Sequence, residues 1–190
     1  SADAAATIGN ASAAGAITLT ANAVSLVGAV TGSGALVLQP STAAGTIGIG
    51  DAAAGTFSLS NAELALLTNG FSGITIGRAD SACVITINND GVGAGVVTFN
   101  DPVIIRTPSG GSITVDDQIT GAGNASITLN GATTLNADIV TAGGAITISN
   151  NLILGTPATI TLDTTNGGGV AAGANITITG TTNDGVAGST

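Results

Sequence analysis

The tripeptide Ile-Thr followed by an aliphatic residue recurs along the chain, starting at Ile17, Ile74, Ile85, Ile113, Ile127, Ile146, Ile160 and Ile176. Variants of it stand at Leu36-Val37-Leu38, Ile47-Gly48-Ile49 and Phe57-Ser58-Leu59. Each copy puts two apolar side chains on one face of an extended segment and a small or polar one on the other, the alternation of half-buried β structure. Asn-Gly and Asp-Gly dipeptides, which favour tight turns, begin at Asn69, Asp90, Asn130, Asn166 and Asp184. Their spacing resembles one or two periods of about twenty residues.

Short strands, glycine-rich corners and a repeat near twenty residues predict an all-β right-handed parallel β-helix, or β-solenoid, of about nine or ten short rungs. In such a coil the backbone bonds run along the axis, and inward Ile, Leu and Val form continuous ladders. Outward Thr, Ser and Asn stack like on like between rungs. Inward positions are expected at Ile113, Val115, Ile127, Leu129, Ile146, Ile148, Ile160 and Leu162. The whole of 1–190 reads as one such segment, either complete or part of a longer repeat protein. An antiparallel sandwich is the alternative, because Asn130-Gly131 between Ser126 and Leu135 also fits a hairpin. Sandwiches, however, generally bury a Trp or Tyr, and this chain has neither.

One stretch departs from the β pattern. Ser60 and Glu63 fit a capping box, Ala62 to Leu67 is the best helix-forming run, and Gly70 stands where a helix would stop. A short helical insertion near 61–68 is expected, with Leu64 and Leu67 facing the core.

Composition excludes much chemistry. The chain lacks His, Lys, Met, Trp and Tyr, so histidine triads, Schiff-base lysines, P-loops and His-ligated metals cannot be built. Only 7% of residues are charged, and two cations, Arg78 and Arg106, stand against eleven acids for a net charge of -9. Such a chain has no phosphate-binding stripe, and nucleic acid is not an expected partner. Glycine and threonine interrupt every apolar run well short of the roughly 18 residues a spanning helix needs, so membrane insertion is not expected either. No basic leader precedes Ser1, so any signal peptide is expected to be already removed or to lie outside this stretch. The lone Cys83 shares a face with Ile85 and Ile87 and reads as a buried structural thiol.

The run from Gly55-Thr56-Phe57-Ser58-Leu59-Ser60-Asn61-Ala62-Glu63-Leu64 through Gly73-Ile74-Thr75-Ile76-Gly77-Arg78-Ala79-Asp80 resembles repeat regions of very large bacterial surface exoproteins of the filamentous-haemagglutinin-like type. The units starting at Gly111 and Gly143 look similar, and the resemblance covers about residues 15 to 180. It implies a β-helical shaft, export, and adhesion or coating at a cell surface.

Few residues compete for a chemical role. Asp116-Asp117 is the only adjacent carboxylate pair, but neighbours on a strand point to opposite faces, which works against shared acid–base chemistry. Asn89-Asp90-Gly91 and Asn183-Asp184-Gly185 are the only hints of a structural calcium site; both are isolated and read as tight turns. Arg78 and Asp80 suit a surface ion pair. Asn10, Asn124 and Asn175 begin Asn-x-Ser/Thr triplets, a pattern frequent by chance in a chain rich in Asn and Thr. Thr18/Thr20, Thr159/Thr161 and Thr177/Thr179 repeat the Thr-x-Thr unit of ice-binding solenoids, far apart in the chain.

These readings lead to a non-enzymatic structural or adhesive protein of the cell surface or extracellular space, with no catalytic, cofactor or metal residues assigned. Its expected partner is itself, through stacking of rungs into a filament, since neither Ser1–Ala6 nor Thr181–Thr190 reads as a cap. An extracellular glycan- or ice-binding module is the alternative, and cell-surface glycans are the other candidate partner.

Overall fold

The computed structural model describes residues 15–91, 93, 95–123, 125–155 and 159–185. They form three parallel sheets and a single helical turn. The first sheet stacks β1 (Ile17–Ala21), β2 (Ala35–Pro40), β5 (Gly73–Ile76), β8 (Val103–Arg106), β11 (Ile127–Asn130), β14 (Ile146–Ile148) and β17 (Ile176–Ile178). The second stacks β4 (Phe57–Leu59), β3 (Thr46–Ile49), β6 (Val84–Ile87), β9 (Ser112–Val115), β12 (Ala132–Leu135), β15 (Leu152–Leu154) and β18 (Thr182–Asp184). The third holds β7 (Val96–Phe99), β10 (Gln118–Gly121), β13 (Ile139–Thr141) and β16 (Leu162–Asp163).

From β5 onward the chain visits the sheets in a fixed cycle, so each strand pairs with its counterpart one circuit later. In the first sheet the register sets Ile17 opposite Leu36, then Ile74, Val103, Ile127, Ile146 and Ile176. A second ladder two residues on runs Leu19, Leu38, Ile76, Ile105, Leu129, Ile148 and Ile178. Between them the outward row is Thr18, Val37, Thr75, Ile104, Thr128, Thr147 and Thr177. Period-2 alternation thus becomes a dry ladder inside and a mostly threonine row outside.

The second sheet follows the same rule, with Ile47, Ile85 and Ile113 in one ladder and Ile49, Ile87 and Val115 in the next. All of these are fully buried, as are Val97, Ile119 and Ile139 of the third sheet. Of the eight residues expected to point inward, Ile113, Val115, Ile127, Leu129, Ile146 and Ile148 are wholly buried, while Ile160 and Leu162 are half-buried and pack on the core.

The antiparallel alternative falls, and the number of rungs needs correction. Asn130-Gly131 is not a hairpin turn: β11 and β12 lie in different sheets and each pairs in parallel with strands one circuit away. The two larger sheets hold seven strands among the described residues, fewer than nine or ten rungs, because circuits are uneven. In the first sheet they run 19, 38, 29, 24, 19 and 30 residues, the excess being spent in corner loops.

The longest circuit contains a reversal. After β3 the chain turns back and lays β4 beneath it, with Phe57 opposite Ile47 and Leu59 opposite Ile49. Helix α1 (Asn61–Leu64) follows with its capping box complete, the Ser60 hydroxyl accepting from Glu63 N–H and the Glu63 carboxylate accepting from Ser60 N–H. The helix makes one turn, shorter than 61–68; Leu67 leaves it to form a bridge with Val30. Leu64 and Leu67 are both buried, as expected. The other Glu63 oxygen accepts Leu26 N–H at 2.9 Å and ties this segment to the first circuit.

Candidate functional site

Charged side chains segregate by corner. Where the chain leaves the first sheet stand Arg78, Asp80 and Arg106, which include both cations. Arg78 grips Asp80 with two bonds, Nε to Oδ1 at 2.8 Å and Nη2 to Oδ2 at 3.0 Å. That contact raises the Arg78 pKa and lowers that of Asp80. Arg106 lies across the neighbouring circuit and donates from Nε to Gly77 O at 3.1 Å.

The corner after the second sheet is acidic, carrying Asp51, Asp90, Asp116, Asp117 and Asp138. Most of these carboxylates are engaged in holding the turn. Asp117 is wholly buried, and its Oδ2 accepts Asn89 N–H at 2.5 Å and Asp90 N–H at 2.9 Å, while Oδ1 accepts Gly95 N–H at 3.2 Å. It therefore satisfies three donors of the 88–95 loop, which a corner has no strand to pair. Asp116 turns the other way and accepts Asn136 Nδ2 at 2.7 Å. The adjacent pair is split between two tasks.

Along this corner runs a polar cleft of about 250 Å³ lined by Gly93, Gly95, Gln118, Asn136, Asp138 and Thr159. Asp138 spends one oxygen on Thr161 N–H at 2.7 Å, and Gln118 Nε2 donates to Thr120 Oγ1 at 3.0 Å. Such a lining of amide and carboxylate oxygens can accept hydrogen bonds from a hydroxyl-rich ligand. Reading residues singly misses the cleft. Its signal is Asn136-Ala137-Asp138 after the aliphatic end of β12, which the circuits on either side flank with Gln118 and Thr159.

The other candidates are placed as follows. Asn89-Asp90-Gly91 is a turn closed by Gly91 N–H on Asn88 Oδ1 at 2.8 Å and Gly93 N–H on Asp90 Oδ1 at 3.1 Å. Asn183 and Asp184 lie in β18, in another circuit. Among the described residues no three His, Cys, Asp or Glu side chains are grouped to hold a metal ion, and no helix is long and apolar enough to cross a membrane. Cys83 is buried, with Sγ 3.6 Å from Ala43 O. Asn175 is exposed, and Asn10 and Asn124 lie outside the described residues.

Thr18/Thr20 and Thr177/Thr179 sit at opposite edges of the first sheet, while Thr159/Thr161 precede the third-sheet strand β16. Val37/Gln39, Thr75/Gly77 and Ile104/Arg106 intervene, so the three pairs do not join into one array. No protein-family model matches the chain, and neither a curated protein nor a solved structure matches it.

Proposed function

We propose that this chain is a non-enzymatic structural or adhesive protein of the cell surface or extracellular space, built as a right-handed parallel β-helix that assembles by stacking its rungs. The observation that carries the reading is the register of the first sheet, where Leu36, Ile74, Val103, Ile127 and Ile146 stand one upon another in successive circuits. A ladder of like apolar residues held in register lets each rung serve as the template for the next. Right-handed closure follows the strong preference of parallel crossover connections. Export and surface location are supported by the resemblance of residues 55–80 to exoprotein repeats and by a low-charge, acidic composition.

Sedimentation across concentration, with negative-stain imaging, tests this function. Concentration-dependent oligomers or filaments are expected, and a globular monomer at high micromolar concentration overturns the assembly. Glycan binding remains the second reading, favoured by the polar cleft at Gln118, Asn136 and Asp138. Saturable binding on a glycan array, lost on Asn136→Ala, would move it to first place.

A further inference from the structure

We propose that the outer edge of β7 is a docking site for a short extended peptide with a basic residue at its amino end, which adds to the third sheet as one further parallel strand. The edge lies within the stack, so the inference does not rest on how copies of the chain assemble.

Among the described residues the third sheet begins at β7, although the first sheet by then holds β1, β2 and β5 and the second β4, β3 and β6. Where a strand would lie beneath β7 the chain winds instead. Leu64, Ala65, Leu66 and Leu67 give their N–H groups to the C=O of Ser60, Asn61, Glu63 and Leu64, so none of these donors is offered to β7. On the strand itself, Gly95 C=O accepts Gln118 N–H at 3.2 Å and Phe99 C=O accepts Ala122 N–H at 2.8 Å, so residues 95, 97 and 99 turn their peptide groups to β10. Val96 and Thr98 turn theirs the other way. Asn61 Nδ2 replaces one rung bond by reaching Val96 C=O at 3.1 Å, and its own buried Oδ1 is left without a donor. The Thr98 N–H and C=O have no partner among the described residues.

In front of these groups lies a cleft of about 210 Å³, walled by Leu64 and Ala65 on one side and by Val96, Thr98 and Asn100 on the other. It has room for a short extended segment, and an unpaired strand edge takes an added strand. In parallel addition, the pairing of the whole third sheet, Thr98 N–H meets the C=O before the opposite residue and Thr98 C=O meets the N–H after it. The register then sets the side chains. Those beneath Val97 and Phe99 point inward, where Leu64 is already buried, and must be small. The one opposite Thr98 points outward beside Val96, which is 39% exposed, and suits a β-branched residue. Charge fixes the rest. Exposed Asp51 accepts Asn61 N–H at 2.8 Å, and exposed Asp90 follows Asn89, whose Oδ1 accepts Asn61 Nδ2 at 2.7 Å, so both acids stand at the Val96 end. Both arginines are at the corner after the first sheet. A cation at the amino end of the added strand complements that field.

A labelled peptide of sequence Lys-Ala-Val-Ala-Thr with blocked ends, titrated with the full chain and followed by fluorescence anisotropy, tests the site. Amide exchange over residues 96–100, read by mass spectrometry, locates it. Saturable binding and slowed exchange there are expected. N-methylation of the second alanine, whose N–H meets Thr98 C=O, should abolish binding. N-methylation of the valine, whose N–H faces away from β7, should leave it within a few-fold. Ala65→Phe, at an exposed position in the cleft wall, should remove binding and leave the melting midpoint unchanged. Asp90→Asn, or Glu in place of the peptide's Lys, should weaken binding several-fold. The proposal is overturned by no saturable binding up to about 1 mM peptide, or by equal binding of both N-methylated peptides. Protection of residues 96–100 that rises with the concentration of the chain alone overturns it in favour of a second copy as occupant. Displacement of the peptide by a neutral oligosaccharide at equal concentration overturns it in favour of a glycan.

Discussion

Asp117 reaches across the acidic corner to accept the backbone N–H of Asp90 at 2.9 Å, one carboxylate securing the main chain of another acidic residue. Removing it takes away the acceptor of three backbone donors of one loop and leaves a gap where a wholly buried carboxylate stood. Asp117→Ala should destabilise the fold by about 2–4 kcal/mol, with Asp117→Asn intermediate. Asp116→Asn should cost under about 1 kcal/mol, since Asp116 meets only an amide at the surface. Chemical denaturation ranks the three, and amide exchange at Asn89 and Asp90 should accelerate selectively in the first two.

Ile127 and Thr128 are neighbours on β11 facing opposite sides. Ile127→Asp buries an unpaired charge between Val103 and Ile146 and should cost several kcal/mol, of order 4 or more. Thr128→Asp stands in the outer row and should cost under about 1 kcal/mol. Equal tolerance of the two in thermal melts would reverse the assignment of faces.

Gly77 adopts φ +103°, and a Cβ there would lie 2.2 Å from Arg106 O. Gly77→Ala therefore combines a disfavoured backbone with a collision against the next circuit, and a loss of about 2–4 kcal/mol is expected. Gly110 has a similar φ of +97° with nothing within 4 Å. Gly110→Ala bears the backbone strain alone and should lose less, as paired melting curves would show.

Asp163 has its pKa lowered, first by the Thr165 hydroxyl and then by the backbone N–H groups of Gly167 and Thr165. Since the folded value lies below the ordinary one, the turn's contribution is complete above the usual carboxylate range and lost as pH falls through the lowered value. The protection of Gly167 N–H relative to its intrinsic exchange rate, and its chemical shift, followed by NMR from pH 6 to 2, should report loss of the hydrogen bond over that window. Thr165→Val should shift the transition toward the ordinary carboxylate value. Asp80 should behave in the same direction through Arg78.

The parallel sheets were legible because Ile-Thr-aliphatic units carry their own face assignment, and the ladder through Ile127 and Ile146 follows directly. The capping box at Ser60 and Glu63 was equally plain, being a local motif. Strands such as β10, β12 and β13 lack the repeated tripeptide and are specified by what they stack upon, as Thr133 shows: it stands on an inward position between Ile113 and Leu152, with its hydroxyl turned back to Gly131 O. The reversal that lays β4 beneath β3 has no local signal either, since Phe57-Ser58-Leu59 reads like any other strand. The cleft needed the register, because Gln118, Asn136 and Thr159 meet only when three circuits are superimposed.

The hydrogen bonds of all three sheets run along the stacking direction, which has a mechanical consequence. Tension applied between the two ends loads those bonds one strand at a time, the geometry of a zipper and not of a shear lap. Each detached circuit of 19 residues would release roughly 60 Å of extended chain from a layer under 5 Å thick. The 38-residue circuit would release about twice as much, after the extra grip of β4 on β3 has failed. Such a stack yields in steps of unequal length, set by its corner loops, and dissipates a pull without breaking the chain.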